Sequence, residues 1–143
     1  MKMNANETLL NELYKNTTMG GDSLINLMDK AEDPAMRSEM TRELEKYREY
    51  SNRAAELLGE RGLKPEEPGM MAKAGSKMGM AFNTMLDTTT SHLAEMMING
   101  AVMGIININK QLNSAEHDGE ARKLAEDVLA FEKSTADHLA RFL

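Results

Sequence analysis

The chain has no cysteine and no tryptophan, and only three prolines in 143 residues. Without cysteine there is no disulfide, thiolate metal site, iron–sulfur cluster or cysteine nucleophile, although compartment stays open, because a periplasmic protein can also lack cysteine. Aromatic residues are scarce, with three Phe and three Tyr. Basic residues are outnumbered: 17 Lys and Arg against 23 Asp and Glu leave a net charge of −6. That is the wrong sign for gripping a polyphosphate backbone, so no nucleic-acid partner is expected. Long apolar runs are missing as well. The most apolar stretch, residues 96–108, is broken by Asn99 and Asn107 and is shorter than the ~20 residues a bilayer crossing needs, so no membrane span is expected. The N-terminal residues Met1-Lys2-Met3-Asn4-Ala5-Asn6-Glu7 turn polar at once, unlike a signal peptide, and a cytoplasmic location is expected. What is present is ordinary for a globular protein, 41% hydrophobic and 28% charged residues, in a length that suits one domain over residues 1–143. The exception is methionine, with 14 copies.

Apolar residues recur at steps of three and four between the breaks, which predicts helices. The first helix is expected over residues 5–31, opened by Asn4 and Glu7 at capping-box spacing, with Leu10, Leu13, Thr17, Gly21, Leu24 and Met28 on one face. Gly20 and Gly21 within it read as the close approach of a neighbouring helix. Asp33-Pro34 restarts the chain, Asp as cap and Pro with its preset φ, for a second helix over residues 34–58. Its apolar face is Met36, Met40, Leu44, Tyr47, Ser51, Ala54 and Leu58. Its other face pairs Glu39 with Arg42, Glu45 with Arg48 and Glu49 with Arg53, spacings that read as solvated ion pairs of a few tenths of a kcal/mol each. Residues 59–69, rich in Gly and Pro, form the main break. A third helix is expected over residues 73–112, with Met78, Phe82, Met85, Thr89, Leu93, Met96, Gly100 and Met103. The fourth runs from about Glu120 to the end, with Leu124, Val128, Phe131, Thr135, His138 and Phe142.

Four amphipathic helices bury their stripes most simply as an all-α four-helix bundle. Short links join helices one and two and helices three and four, so each pair forms an antiparallel hairpin, whereas residues 59–72 can run the length of a bundle at ~3.3 Å per residue. The expected topology is therefore up-down-down-up, with a long crossover between the second and third helices. An up-down-up-down bundle is the alternative if that segment folds as a local cap. Met19-Gly20-Gly21-Asp22-Ser23, the run Ser91-His92-Leu93-Ala94-Glu95-Met96-Met97-Ile98 followed by Gly100 and Met103-Gly104-Ile105, and Phe131-Glu132 resemble a group of small uncharacterised bacterial ferritin-like proteins. The resemblance covers most of the chain and implies the ferritin-like bundle, with no activity attached to it.

A ferritin-like bundle raises the question of a di-iron centre, which takes a Glu from each of two helices and a Glu-x-x-His pair from each of the others. No Asp or Glu here has His three residues later: Glu43 leads to Lys46 and Glu132 to Thr135. The only histidines are His92, His117 and His138. A reversed pair, His92 with Glu95, together with Glu132 and His138, forms the candidate set for a single divalent ion. Half-buried, hydrogen-bonded side chains are the preferred reading of these four residues, and no cofactor is expected. The methionines could serve Cu(I) as soft thioethers, but several fall on the apolar stripe, where they fill gaps. No nucleophile-elbow or metalloprotease spacing occurs.

The third helix is apolar nearly all round, which calls for burial on more than one side. Met97, Ala101, Val102, Ile105 and Ile108 are the expected interface of a homodimer, with Gly100 and Gly104 permitting close approach; cover by residues 59–72 is the rival explanation. The functional expectation is a non-catalytic binding or assembly module. The alternative is a degenerate metal-carboxylate protein in iron or redox handling.

Overall fold

The computed structural model describes residues 3–68 and 86–143. Four α-helices account for most of them: α1 (Ala5–Met28), α2 (Pro34–Glu60), α3 (Thr90–Ser114) and α4 (Gly119–Leu139), followed by a 3₁₀ turn, Ala140–Phe142. No strand occurs among the described residues.

Helices α1, α2 and α3 start where the sequence supplies side-chain acceptors for free backbone N–H groups. Asn4 Oδ1 accepts from Glu7 N at 2.9 Å and Glu7 Oε1 accepts from Asn4 N at 3.0 Å, a closed capping box for α1. Asp33 accepts from Met36 N at 2.8 Å, with Pro34 opening α2. The far end of α2 closes on Gly62, whose φ of +73° suits glycine, as Leu63 N bonds back to Leu58 O at 3.0 Å.

The third helix begins later than its apolar spacing suggests. Thr89, not a residue near Lys73, is its cap, accepting from His92 N at 3.3 Å, and Asp87 in turn accepts from the Thr89 amide and hydroxyl. Residues 86–89 are non-helical and Leu86 is fully exposed. Two short side chains, Asp87 and Thr89, accept from the backbone N–H groups of Thr89 and His92 that one more helical turn would otherwise use. The expected positions Met78, Phe82 and Met85 lie outside the described residues.

Side-chain ties fix the helix directions. Along α2 and α4, Glu39 meets His138 at 3.7 Å, Tyr47 meets Glu132 at 2.9 Å and Arg53 meets Glu120 at 3.2 Å. Numbers that rise on one helix fall on the other, so the two are antiparallel. The hairpin links make α1 antiparallel to α2 and α3 antiparallel to α4, which yields up-down-down-up with one long connection. That connection leaves α2 beside the start of α1, where Glu66 N donates to Asn11 Oδ1 at 2.9 Å and the Tyr14 hydroxyl donates to Glu67 at 2.7 Å. Residues 69–72 of the expected crossover lie outside the described residues.

The core divides in two. One cluster gathers Leu24, Leu27, Met36, Met40, Leu93 and Leu139, the other Leu9, Leu10, Leu13, Leu57, Leu58 and Ile108. Each fully buried leucine or methionine contributes roughly 1.5–3 kcal/mol. Three of the five residues expected on an outer face of α3 sit inside the bundle: Met97, Ala101 and Ile108 are buried. Ile105 is half-buried, while Val102, Met103 and Ile106 are 42%, 52% and 47% exposed. The apolar exterior of α3 is therefore narrower than its sequence implies, because Met97, Ala101 and Ile108 are taken into the bundle. Gly104 also faces inward, where an added Cβ would stand 2.9 Å from Glu132 Oε1, so its small size serves α4.

Candidate functional site: a carboxylic-acid cavity in the bundle

Between the two apolar clusters the interior becomes polar. Glu43 on α2 and Glu132 on α4 both line a cavity of about 470 Å³, completed by α1 and α3. Such a volume falls within the range of small-molecule sites. Its walls are largely apolar, among them Met19, Leu24, Met96 and Met103, with Tyr47 beside the two acids.

Glu43 and Glu132 are 2% and 4% exposed, and Glu39, one turn before Glu43, is 5% exposed. The expected reading of Glu39–Arg42 as a solvated pair is thus corrected. Arg42 does bind Glu39 at 2.8 Å, but the carboxylate is buried, and the Arg141 guanidinium at 3.9 Å and the His138 imidazole at 3.7 Å also approach it. The remaining charges on that face also pair differently: Glu49 takes Lys46, and Arg53 takes Glu56 and Glu120. A buried carboxylate costs several kcal/mol unless it is paired, and Glu39 has its pairing at the bundle's end.

Neither cavity acid forms an ion pair among the described residues. Glu43 Oε2 has no hydrogen-bond partner among the described residues. Its pKa is pushed up to about 9, chiefly by burial, then by the like charge of Glu39 and a close carboxyl–carboxyl contact with it, with Arg42 opposing. Glu132 is raised to about 7 by burial, opposed by the Tyr47 hydroxyl, which donates to its Oε2 at 2.9 Å. Tyr47 is itself held edge-on to Phe131, ring centroids 5.1 Å apart. Gly20 lies under the Tyr47 ring, leaving no room for a side chain there: a Cβ would stand 2.7 Å from the ring. The expected close approach at Gly20 is thus made by the Tyr47 ring of α2.

The four candidate metal ligands fall in different surroundings. His92 pairs with Glu95 at 3.6 Å on a half-exposed face of α3, His138 faces Glu39 and Arg42 of α2, and Glu132 points into the interior. No three Asp, Glu or His side chains among the described residues come together as a metal-binding group. Residues 69–85 hold no Asp, Glu or His that would add to the set.

In overall shape the chain is similar to a solved structure, a dodecameric thioferritin that is the bacterioferritin-related protein from Bacteroides fragilis. The TM-score is 0.76, covering 99% of this chain and 86% of that one, at 14% sequence identity. The fold is a ferritin-like four-helix bundle. No family model and no curated protein matches the chain.

Among the described residues the chamber lining holds neither a histidine nor a Glu-x-x-His pair. Glu43 and Glu132 supply one carboxyl group each from α2 and α4, but three residues on stand Lys46, paired with Glu49, and Thr135, whose buried hydroxyl has no partner among the described residues. The α1 and α3 walls present Asn16, Gly20, Gly104 and Asn107 instead of carboxylates. Two carboxyl groups with no imidazole among the described lining residues supply only part of the ligand shell of a di-iron centre. What the arrangement does offer is a mostly apolar chamber with two acidic hydrogen-bonding groups among its lining. Glu39 and Glu43 are hidden in the sequence because their ion-pair spacing to Arg42 and Lys46 looks like a surface pattern. A signal is nonetheless present: Met36, Met40, Glu43 and Tyr47 step by four, three and four along one face.

Proposed function

We propose that the chain is a non-catalytic binding and assembly module, a ferritin-like bundle whose central chamber receives a small organic molecule in place of a metal centre. The observation that supports this is a 470 Å³ chamber, largely apolar, whose described lining includes two buried acids and no histidine. A second reading, a degenerate metal-carboxylate protein in iron handling, draws on the likeness to a thioferritin. Metal analysis separates them. Protein purified without chelators and then exposed to Fe(II), Mn(II), Zn(II) or Cu(I) is expected to retain less than about a tenth of an equivalent of each, since no third Asp, Glu or His among the described residues approaches the two acids. A stoichiometric metal that disappears in Glu132→Gln, His92→Ala or His138→Ala would establish the second reading.

Assembly is assigned to the outer side of α3. Val102, Met103 and Ile106 form an exposed apolar strip there, and a second copy of the chain would cover it, Met103 adapting its shape to the contact. The similar thioferritin is dodecameric, which lends support to self-association. Light scattering after size exclusion is expected to show a dimer or larger assembly at micromolar concentration, with Val102→Glu reducing it to monomer at unchanged helicity. A monomeric wild type removes the assignment.

A further inference from the structure

The two carboxyl oxygens of Glu132 meet different neighbours. The Tyr47 hydroxyl donates to Oε2 at 2.9 Å, the one hydrogen bond that Glu132 receives from the described residues. On its other side stands α3, where a Cβ built on Gly104 would lie 2.9 Å from Oε1 and 3.1 Å from Cδ. Gly104 and Glu132 both line the chamber, so the missing side chain of Gly104 leaves room beside Oε1 at the α3 wall. The described lining contains no Lys, Arg or His, and its remaining polar side chains, Asn16, Ser23 and Asn107, are uncharged. Much of the apolar wall is methionine: Met19, Met96, Met97 and Met103. A molecule entering such a space gives up most of its hydration, and the lining offers nothing to balance a negative charge.

We propose that the chamber binds a small aliphatic alcohol, its hydroxyl at Oε1 of Glu132 in the room left by Gly104 and its hydrocarbon body along Met19, Met96 and Met103. The inference rests on the binding-module reading above and names its ligand class. Burial raises the Glu132 pKa to about 7, so near neutral pH the carboxyl group is present in both its forms. A hydroxyl, with one donor and two acceptor positions, bonds to either: it donates to an ionised Oε1 and accepts from a protonated one. Tyr47 holds the carboxyl group by its other oxygen. A ketone or an ether only accepts and so matches one form, and a hydrocarbon matches neither. An ammonium would shed its hydration into a methionine-lined space for the sake of a carboxyl group that burial favours uncharged, and the desolvation of such a pair offsets its attraction. A carboxylate ligand would bring a negative charge to a wall without a cation. The thioether side chains are conformable and accept bodies of differing shape, which suits a class of alcohols of about six to ten carbons better than one rigid compound.

The full chain is titrated calorimetrically near neutral pH with 1-hexanol, 1-chlorohexane, hexylamine and hexanoate, which share a six-carbon body and differ in the head. 1-Hexanol is expected to bind, hexylamine no more tightly than 1-hexanol, and hexanoate not at all. Glu132→Met, which keeps the length of the side chain and removes the carboxyl group, is expected to weaken 1-hexanol relative to 1-chlorohexane by about tenfold or more. Gly104→Ala, which fills the place of the hydroxyl and keeps the carboxyl group, is expected to act in the same direction. Glu126→Gln, on the exposed face of α4, should leave the ratio as it is in the wild type. A ratio that stays constant across the wild type, Glu132→Met and Gly104→Ala would overturn the placement of the hydroxyl at Glu132. Hexylamine binding tenfold more tightly than 1-hexanol, or 1-chlorohexane binding where 1-hexanol does not, would overturn the alcohol assignment and leave the binding-module reading standing. Failure of all four compounds to bind would overturn both.

Discussion

The protein is expected to become more stable as pH falls from about 9 to about 5, opposite to the usual behaviour of proteins whose carboxylates are paired. The sign follows from the two chamber acids. Glu43 and Glu132 titrate near 9 and near 7 in the folded chain against 4.5 for an unperturbed Glu. The folded state therefore keeps protons that the unfolded chain has released, and linkage makes stability fall with rising pH wherever that is so. The contribution is fully present below about 4.5, declines as pH passes through 7 with the ionisation of Glu132, and declines further toward 9 with that of Glu43. A carboxyl group whose pKa rises by one on folding contributes about 1.4 kcal/mol, but the two acids interact, so a change on the order of 3–6 kcal/mol is expected across the range. For a chain of this size that corresponds to roughly 10–20 °C in melting temperature. Glu43→Gln, neutral at every pH, should remove the larger part of this slope, melting well above the wild type at pH 9 and close to it at pH 5. Thermal melts of both proteins at half-unit intervals of pH decide the matter, and parallel curves would show that Glu43 does not titrate in this range.

The second large effect is expected at Gly20. Alanine is the better helix former by about 1 kcal/mol, so an exposed helical glycine should gain from the substitution. Gly59, with nothing within 4 Å of its would-be Cβ, should behave in that way. At Gly20 the new methyl group would stand 2.7 Å and 2.8 Å from two carbons of the Tyr47 ring. That ring cannot swing aside freely, being held by its hydrogen bond to Glu132 and by the edge of Phe131. Gly20→Ala is expected to destabilise the bundle by about 2–3 kcal/mol net, mostly as overpacking strain and a weakened Tyr47–Glu132 bond. Denaturant unfolding of the two alanine variants should give shifts of opposite sign, and a stabilised Gly20→Ala would show that the Tyr47 ring is free to move.

The bundle was legible in the sequence because its determinants are local and repeated. The capping box at Asn4, the Asp33-Pro34 restart and the steps of three and four along α1, α2 and α4 each act over a turn or two, and the observed helices follow them closely. The start of α3 was less legible, since Met78, Phe82 and Met85 continue the helical spacing of Thr89, Leu93 and Met96, and spacing alone does not reveal that Thr89 and Asp87 turn their side chains onto the backbone. The chamber was the hardest part. Glu39 and Glu43 carry the same ion-pair spacing as the exposed glutamates of α2, and only the packing of α4 against them decides that they are inside. Likewise Met97, Ala101 and Ile108 differ from Val102 and Ile106 only in which side of α3 the other helices occupy, a property of the assembled bundle that no single helix encodes.

The polar ties along α2 and α4 carry a further consequence, for the alignment of the two helices. Leucine and methionine pack against one another in many equivalent ways, so two such helices can slide past each other by a turn at little cost in buried area, and a buried polar pair is a known means of excluding the shifted arrangement. Here the Glu39 cluster, the Tyr47–Glu132 bond and the Arg53–Glu120 pair lie at three heights on one seam. A slip of one turn, about 5.4 Å, would break all three together and leave Glu39 and Glu132 buried without partners. The acids that burden the interior thus select a single register from several that the apolar residues alone would tolerate, and replacing them all with leucine should yield a protein that melts higher but samples more than one alignment.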